Sequence, residues 1–267
     1  MTGQQLVNLV AGDLPGESSL FESKQLVSSV LELPHTAPLL DEVVLTEDQQ
    51  GRLEDGIRRR QQGEPLQYIL GEWEFMGLPF LVEPGVLIPR QDTEVLCEEA
   101  VRLIKERGYK TALDLCCGTG CIGISVAKDT GIAVMLGDIS RECLDISRKN
   151  AEKNGVAVRV KETDLFSAFN GRSFDLILCN PPYLNAEEME SLQTEVRYEP
   201  ELALYGGRDG LDVYRRLAAE YESHLNPGGT MLLEIGYRQW EEIKELFPGA
   251  GLIKDLAGNP RVVEIMK

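Results

Sequence analysis

Apolar residues near the start of the chain recur at helical steps. Leu6, Leu9 and Val10 are followed by Leu20, Leu26, Val27, Val30 and Leu31, mostly three or four residues apart, so Gln4 to about Gly63 reads as helical. Thr46, with Gln49 three residues on, has the form of a capping box that opens a third helix. That helix runs into Arg58, Arg59 and Arg60 and stops at Gly63. Arginines in a last turn complement the negative end of the helix dipole. The other reading of the triplet is a docking patch for an acidic partner.

From Pro65 to Pro89 the pattern changes. Tyr68, Trp73, Phe75, Phe80, Val82 and Leu87 fall in short runs broken by Gly71, Gly77, Pro79, Pro84 and Gly85, the signature of a β-hairpin joining two domains. Beyond Arg90, helical stretches alternate with short apolar runs at 111–115, 133–137, 156–160, 174–179, 230–235 and 261–266. Such alternation predicts an α/β fold with a mostly parallel, doubly wound sheet covered by helices on both faces. The expected organisation is therefore a helical N-terminal domain over 1–64, a hairpin linker over 65–89 and an α/β domain over 90–267.

Composition narrows the function. In 267 residues, 44 Asp and Glu face 27 Lys and Arg, a formal net charge of −17, and 43% hydrophobic residues suffice for one sizeable core and a small satellite domain. A surface this negative repels a phosphate backbone, so stable nucleic-acid binding is not expected, whereas a cationic ligand is favoured. Met1 to Gly16 has no basic stretch leading into an apolar one, and no run of about eighteen apolar residues occurs. Neither export nor membrane association is expected, and the cytoplasm is. Cys97, Cys116, Cys117, Cys121, Cys143 and Cys179 lie mostly in apolar stretches and read as reduced, buried thiols. Cys117 and Cys121 are four apart without a C-x-x-C pair or a nearby histidine, so no metal site is expected.

The chemistry concentrates at two strand ends. After an apolar strand, Gly118-Thr119-Gly120-Cys121-Ile122-Gly123 satisfies G-x-G-x-x-G and opens a helix, and Asp138 ends the next strand. A dinucleotide site uses the same elements, with a pyrophosphate at the helix N-terminus and an acid on the ribose. Asp114, four residues before Gly118, shifts the balance: D-x-x-x-G-x-G resembles the first motif of class I S-adenosylmethionine (AdoMet) methyltransferases. AdoMet carries an ammonium and a sulfonium and no phosphate. The acidic strand end can favour its amino-acid half, glycines let the backbone approach closely, Asp138 can accept from both ribose hydroxyls, and Asp164-Leu165 falls where the adenine is expected.

The second strand end is Asn180-Pro181-Pro182-Tyr183, after the apolar run 174–179. Pro181 restricts Asn180 to an extended backbone, and two prolines remove N–H donors while leaving carbonyl acceptors. The Asn180 side-chain oxygen beside the Pro181 carbonyl matches the two hydrogens of a planar –NH2 group, and Tyr183 offers a face for stacking. Holding both hydrogens returns electron density to the nitrogen and aims it at a methyl group. No strong base is required, because the methylated nitrogen is acidic and can release its proton to water. Two nitrogen types fit: the exocyclic amine of adenine or cytosine, and the carboxamide of glutamine or asparagine. A flipped base needs a cationic strand-binding surface, so a protein glutamine is favoured.

These motifs resemble the HemK/PrmC protein-(glutamine-N5) methyltransferases over essentially the whole chain. Pro89-Arg90-Gln91-Asp92-Thr93-Glu94 is similar to the family's P-R-x-[DE]-T-E segment, and Asp114 to Gly120 to its AdoMet loop. Asn180 to Tyr183 looks like its substrate motif, and Glu199-Pro200, Ala203-Leu204 and Gly206 to Leu211 like its downstream string. The resemblance implies methylation, by AdoMet with S-adenosyl-L-homocysteine as product, of the glutamine in the Gly-Gly-Gln loop of peptide chain release factors. It assigns Asn180, Pro181, Pro182 and Tyr183 to substrate and catalysis. Asp114, Cys116, Cys117, Gly118, Thr119, Gly120, Asp138, Asp164, Leu165 and Asn180 fall to the cofactor, and release-factor docking to the N-terminal domain. Some members carry glycine and threonine in place of Cys116 and Cys117, and tryptophan in place of Leu165, which removes an aromatic contact with adenine. Other readings are glutamine methylation of a ribosomal protein, an adenine-N6 methyltransferase, an inactive AdoMet-fold adaptor and, from the glycines alone, a dehydrogenase.

Overall fold

The computed structural model describes residues 1–267 and divides into two compact units, Met1–Gly71 with Gln193–Tyr198, and Glu72–Leu192 with Glu199–Lys267. The first unit contains α1 (Gly3–Asp13), α2 (Ser19–Val30), α3 (Glu47–Gln61) and the short α4 (Leu66–Leu70). Thr2 and Thr46 both close full capping boxes, with Gln5 and Gln49 respectively. Leu6, Val10, Leu26, Val27 and Val30 are buried as the periodicity predicts, whereas Leu9 and Leu20 are exposed.

The arginine triplet is neutralised within its own unit. Arg58 pairs with Asp55 and Arg59 with Glu64 at 2.5 Å. Arg60, only 6% exposed, donates through Nε to Glu22 Oε2 at 2.7 Å and also pairs with Glu195. A docking patch for an acidic partner is thereby replaced by internal ion pairs. The boundary expected at residue 64 falls instead after Gly71, because Leu66 and Tyr68 of α4 are buried and its end is capped by Gly71 at φ 74°.

The second unit opens with the antiparallel hairpin β1 (Glu72–Phe75) and β2 (Leu78–Leu81). It is part of this unit's core rather than a free linker: Phe75 and Phe80 pack in the main apolar cluster, and Asn150 accepts from Leu81 N at 2.7 Å while donating to Leu81 O at 3.1 Å. After α5 (Glu94–Arg107) come β3 (Thr111–Leu115), α6 (Cys121–Thr130), β4 (Ala133–Asp138), α7 (Arg141–Lys153), β5 (Arg159–Glu162) and β6 (Phe174–Cys179). The short α8 (Ala186–Glu190) and α9 (Glu201–Leu204) precede α10 (Asp212–His224), β7 (Leu225–Glu234), α11 (Trp240–Leu246), β8 (Gly251–Lys254) and β9 (Pro260–Met266).

Seven strands form one sheet in the order β5-β4-β3-β6-β7-β9-β8, parallel except for β9, which runs antiparallel to β7 and β8. Alternate residues face opposite sides. Ala112, Leu176 and Leu178 join the cluster on the α5, α6 and α7 side, while Leu113, Leu115, Ile177 and Cys179 pack with Tyr214, Leu217, Ile243 and Phe247 of α10 and α11. The strand order reverses at β3, whose neighbours are β4 on one side and β6 on the other. Ligands in open α/β sheets bind at such a switch point, beyond the carboxyl ends of the strands.

Candidate active site

Four parallel strands deliver the expected residues to one edge: β3 leads to Cys116, β4 ends in Asp138, β5 runs to Asp164 and Leu165, and β6 leads to Asn180. A cavity of about 550 Å³ opens there, lined among others by Cys116, Cys117, Gly118, Thr119, Asp138, Asp164, Leu165, Asn180 and Pro182. Its volume lies in the range of small-molecule sites.

The loop after β3 turns through left-handed backbone at Cys116 (φ 55°), Gly118 (φ 53°) and Gly120 (φ 78°). A side chain at the first of these positions carries the strain that glycine avoids. Leu165 is strained in the same way at φ 48°, and both residues line the cavity. Asp138 fastens the loop: Oδ2 accepts from Gly118 N at 2.9 Å and Oδ1 from Ser140 N at 2.9 Å. Burial raises its carboxyl above the usual value, and the amides of Ser140, Gly118 and Ile139 oppose the rise. Each oxygen retains lone-pair capacity for a ligand hydroxyl.

Asp114 and Gly120 stand behind this wall rather than in it. Asp114 is fully buried, and its Oδ2 accepts from Gly123 N at 2.8 Å in the first turn of α6. Burial pushes this carboxyl up to about 7. A dinucleotide fold reserves such amides for a pyrophosphate, whereas here a buried acid already holds one of them. The cavity charges agree. Asp138, Glu142 and Asp164 line it, and its two arginines are already engaged, Arg216 with Asp164 at 2.8 Å and Arg90 with Glu199. The surplus is negative, which suits a sulfonium and an ammonium and disfavours a pyrophosphate.

Asn180 and Pro182 face the cavity, Pro181 is buried, and the Tyr183 ring lies against Gly236. Tyr183 is thus not among the residues that line the cavity; its ring packs against the apolar cluster of α10 and α11, and burial pushes its hydroxyl up to about 12. The turn is cradled by the glycine string downstream. Gly206 N donates to Leu184 O at 2.9 Å, and Gln239 Nε2 donates to Tyr183 O at 3.0 Å and Gly210 O at 3.2 Å.

Several residues at the site had no assigned role in the sequence. Arg90 lines the cavity and pairs with Glu199, whose Oε2 also accepts from Ile88 N at 3.0 Å. Thr93 meets Asn180, whose Nδ2 donates to Thr93 Oγ1 at 3.4 Å. Glu94 accepts from Met76 N at 2.7 Å and so ties the hairpin to the start of α5. The P-R-x-[DE]-T-E resemblance pointed to these positions without supplying their partners.

Comparison with known proteins agrees with this architecture. The methyltransferase small domain family matches residues 92–197, and the PrmC N-terminal domain family matches residues 15–71. A methyltransferase from Pyrococcus furiosus superposes with a TM-score of 0.53 at 21% identity, covering 83% of this chain and 98% of that one. The ribosomal protein L11 methylase of Lactobacillus delbrueckii subsp. bulgaricus gives 0.51 at 23% identity, over 69% and 82%. Fold and site together define a class I AdoMet-dependent methyltransferase. The release factor glutamine methyltransferase of Koribacter versatilis is 42% identical over 225 residues, 82% of this chain and 80% of that protein. That of Geobacter sulfurreducens is 40% identical over 255 residues, 92% and 89%. The chain belongs to the release factor glutamine methyltransferase family.

Proposed function

We propose that this chain transfers a methyl group from AdoMet to the side-chain amide nitrogen (N5) of the glutamine in the Gly-Gly-Gln loop of peptide chain release factors. The observation that carries the reading is the meeting of Asn180 and Pro182 with Asp138 and the Cys116–Thr119 loop around one cavity of negative surplus charge. When bound, AdoMet supplies an electrophilic methyl group on a sulfonium. Asp138 accepts from the ribose hydroxyls, residues 116–119 let the backbone approach, and Asp164 and Leu165 bound the adenine end. Asp114 and Gly120 act through the loop, the first by holding Gly123 N.

The Asn180 side-chain oxygen and the Pro181 carbonyl accept the two amide hydrogens of the substrate, which localises the nitrogen lone pair and orients it. Neither histidine is required as a base. His224 stacks on Phe166 with ring centroids 4.4 Å apart, and His35 lies in the first unit. The first unit is the natural reader of the release-factor body, since a Gly-Gly-Gln tip offers little for specificity. No helix is long and apolar enough to cross a membrane. A translation factor as substrate argues for a reaction in the cytoplasm. The negative net charge of −17 argues against a stable nucleic-acid partner.

The test is incubation with labelled AdoMet and purified bacterial release factor, ribosomal protein or DNA, followed by mass spectrometry of whichever takes the label. Release-factor glutamine is expected to gain one methyl group. Asn180→Ala is expected to keep AdoMet binding by calorimetry and to lose about 10² to 10³ in turnover, the scale for removing one oriented polar group acting at the transition state. Label on DNA adenine, or near-parent turnover in Asn180→Ala, overturns the reading.

A further inference from the structure

An asparagine amide has two ends of nearly the same shape and opposite chemistry. Asn180 serves a substrate –NH2 only if its oxygen faces the cavity; turned over, it sets donors against donors. Something must therefore fix the orientation of this side chain. We propose that Thr93, braced by Glu234, is the positioning residue that does so, an inference that rests on the methyl-transfer reading above.

Asn180 Nδ2 donates to Thr93 Oγ1 at 3.4 Å. Thr93 is 2% exposed and Glu234 is 1% exposed, so bulk water does not compete for this hydroxyl. A hydroxyl has one proton. On this proposal the Thr93 proton goes to the Glu234 carboxylate, which the β6–β7 register brings to the same sheet edge as Asn180; only lone pairs then meet Asn180, and its –NH2 end must point toward Thr93, as it does in the 3.4 Å contact. The Asn180 oxygen is then free for the substrate. Burial pushes the Glu234 carboxyl up to about 7, against the pull of Thr93, Arg261 and Arg90 and with Asp92 adding to the rise; above that value the carboxylate can only accept, and the direction is fixed.

Two further observations set this relay apart from ordinary packing. Thr93 closes the tight turn Gln91–Thr93 in helical backbone directly ahead of α5, and its hydroxyl makes no capping bond there, which leaves it available to Asn180. Glu234 ends β7, the strand that pairs with β6 through Cys179 and Leu233, so parallel register brings the residues that follow this pair, Asn180 and Glu234, to the same sheet edge. The turn before α5, the residue after β6 and the end of β7 thus bring one side chain each to the same sheet edge.

The test compares Thr93→Val, Thr93→Ser and Asn180→Ala, singly and with Thr93→Val combined with Asn180→Ala, in the full chain with purified bacterial release factor. Thr93→Val keeps the shape and removes the hydroxyl. Its kcat is expected to fall about 10- to 100-fold while KM for release factor and Kd for AdoMet stay within about twofold, because only transition-state orientation is lost. Thr93→Ser is expected to recover most of the rate. Added to Asn180→Ala, Thr93→Val should change nothing, since a residue acting through another is not additive with it.

Glu234→Gln, which still offers a carbonyl oxygen to Thr93, should keep turnover within a few-fold, whereas Glu234→Leu should repeat the Thr93→Val loss. These two variants decide the matter if Thr93→Val does not fold. Near-parent kcat in both Thr93→Val and Glu234→Leu, or multiplicative losses in the double variant, overturns the positioning role alone. A parent chain that methylates no release factor overturns the methyl-transfer reading and the relay with it.

Discussion

Asp114 shows how one side chain serves structure and ligand choice together. Its carboxylate sits where α6 begins, accepts from Gly123 N, and leaves Oδ1 buried without a partner. With the folded value pushed up to about 7 from an ordinary 3.8, the native state keeps a proton that the unfolded chain gives up. The sign follows from linkage: stability falls as pH rises through this window and is level on either side of it. Asp114→Asn keeps an acceptor for Gly123 and cannot ionise. The variant is expected to lose less stability than the parent between about pH 4 and pH 7, by a few kcal/mol at roughly 1.4 kcal/mol per unit, read from urea-unfolding midpoints. Parallel pH profiles for the two proteins would show that Asp114 does not titrate in this range. At the same scale, the strained backbone at Cys116 and Leu165 was not legible in the sequence, because cysteine and leucine carry none of the turn signal that glycine does.

At the scale of elements, the strands were the most legible. Apolar runs at 111–115 and 174–179 coincide with β3 and β6, and that at 133–137 falls one residue short of β4, because these strands are buried on both faces. The run at 156–160 is displaced from β5, whose residues Arg159 to Glu162 are largely polar and lie at the sheet edge. β8 carries no such signal: Gly251–Lys254 is four residues long, half-exposed and without alternation. The glycine string at 206–211 was recognised as a motif, but its purpose needed the structure. A Cβ added at Gly206 would lie 2.7 Å from Pro182 O and 2.8 Å from Tyr183 Cα, both backbone atoms that cannot swing away. Gly206 does not have a positive φ, so Gly206→Ala tests contact and not backbone freedom. The variant is expected to displace the Asn180–Tyr183 turn, lowering methyl transfer at least about tenfold while calorimetry shows AdoMet still bound. Unchanged turnover would mean that the turn does not depend on this cradle.

On the scale of the whole molecule, the sequence suggested successive blocks, and the structure shows an interleaved chain. Gln193–Tyr198 follows the Asn180–Tyr183 turn in sequence yet belongs to the helical unit. There Glu195 pairs with buried Arg60, and Tyr198 Oη donates to Gln62 O at 3.1 Å. Helical periodicity could not reveal this, since six residues of a connecting segment carry no pattern of their own. Deleting Met1–Gly71 is therefore expected to do more than remove a reader of release factor. AdoMet binding should survive, preference for intact factor over a short Gly-Gly-Gln peptide should vanish, and hydrogen exchange at residues 193–198 should accelerate because their partners are gone. Slow exchange there in the truncated chain, or undiminished preference for the intact factor, would contradict this view.

The same interleaving bears on inheritance and engineering. The polypeptide passes from one unit to the other after Gly71, returns at Gln193 and leaves again at Glu199. A recognition module added by a single splice could be exchanged between enzymes by moving one contiguous stretch of coding sequence. This one cannot: a graft of the first 71 residues onto another catalytic unit arrives without its matching six-residue insert, and Arg60 then keeps Glu22 but loses Glu195. Chimeras that retarget the enzyme must carry both pieces from the same parent, and natural variation at Arg60 and Glu195 should be paired for the same reason.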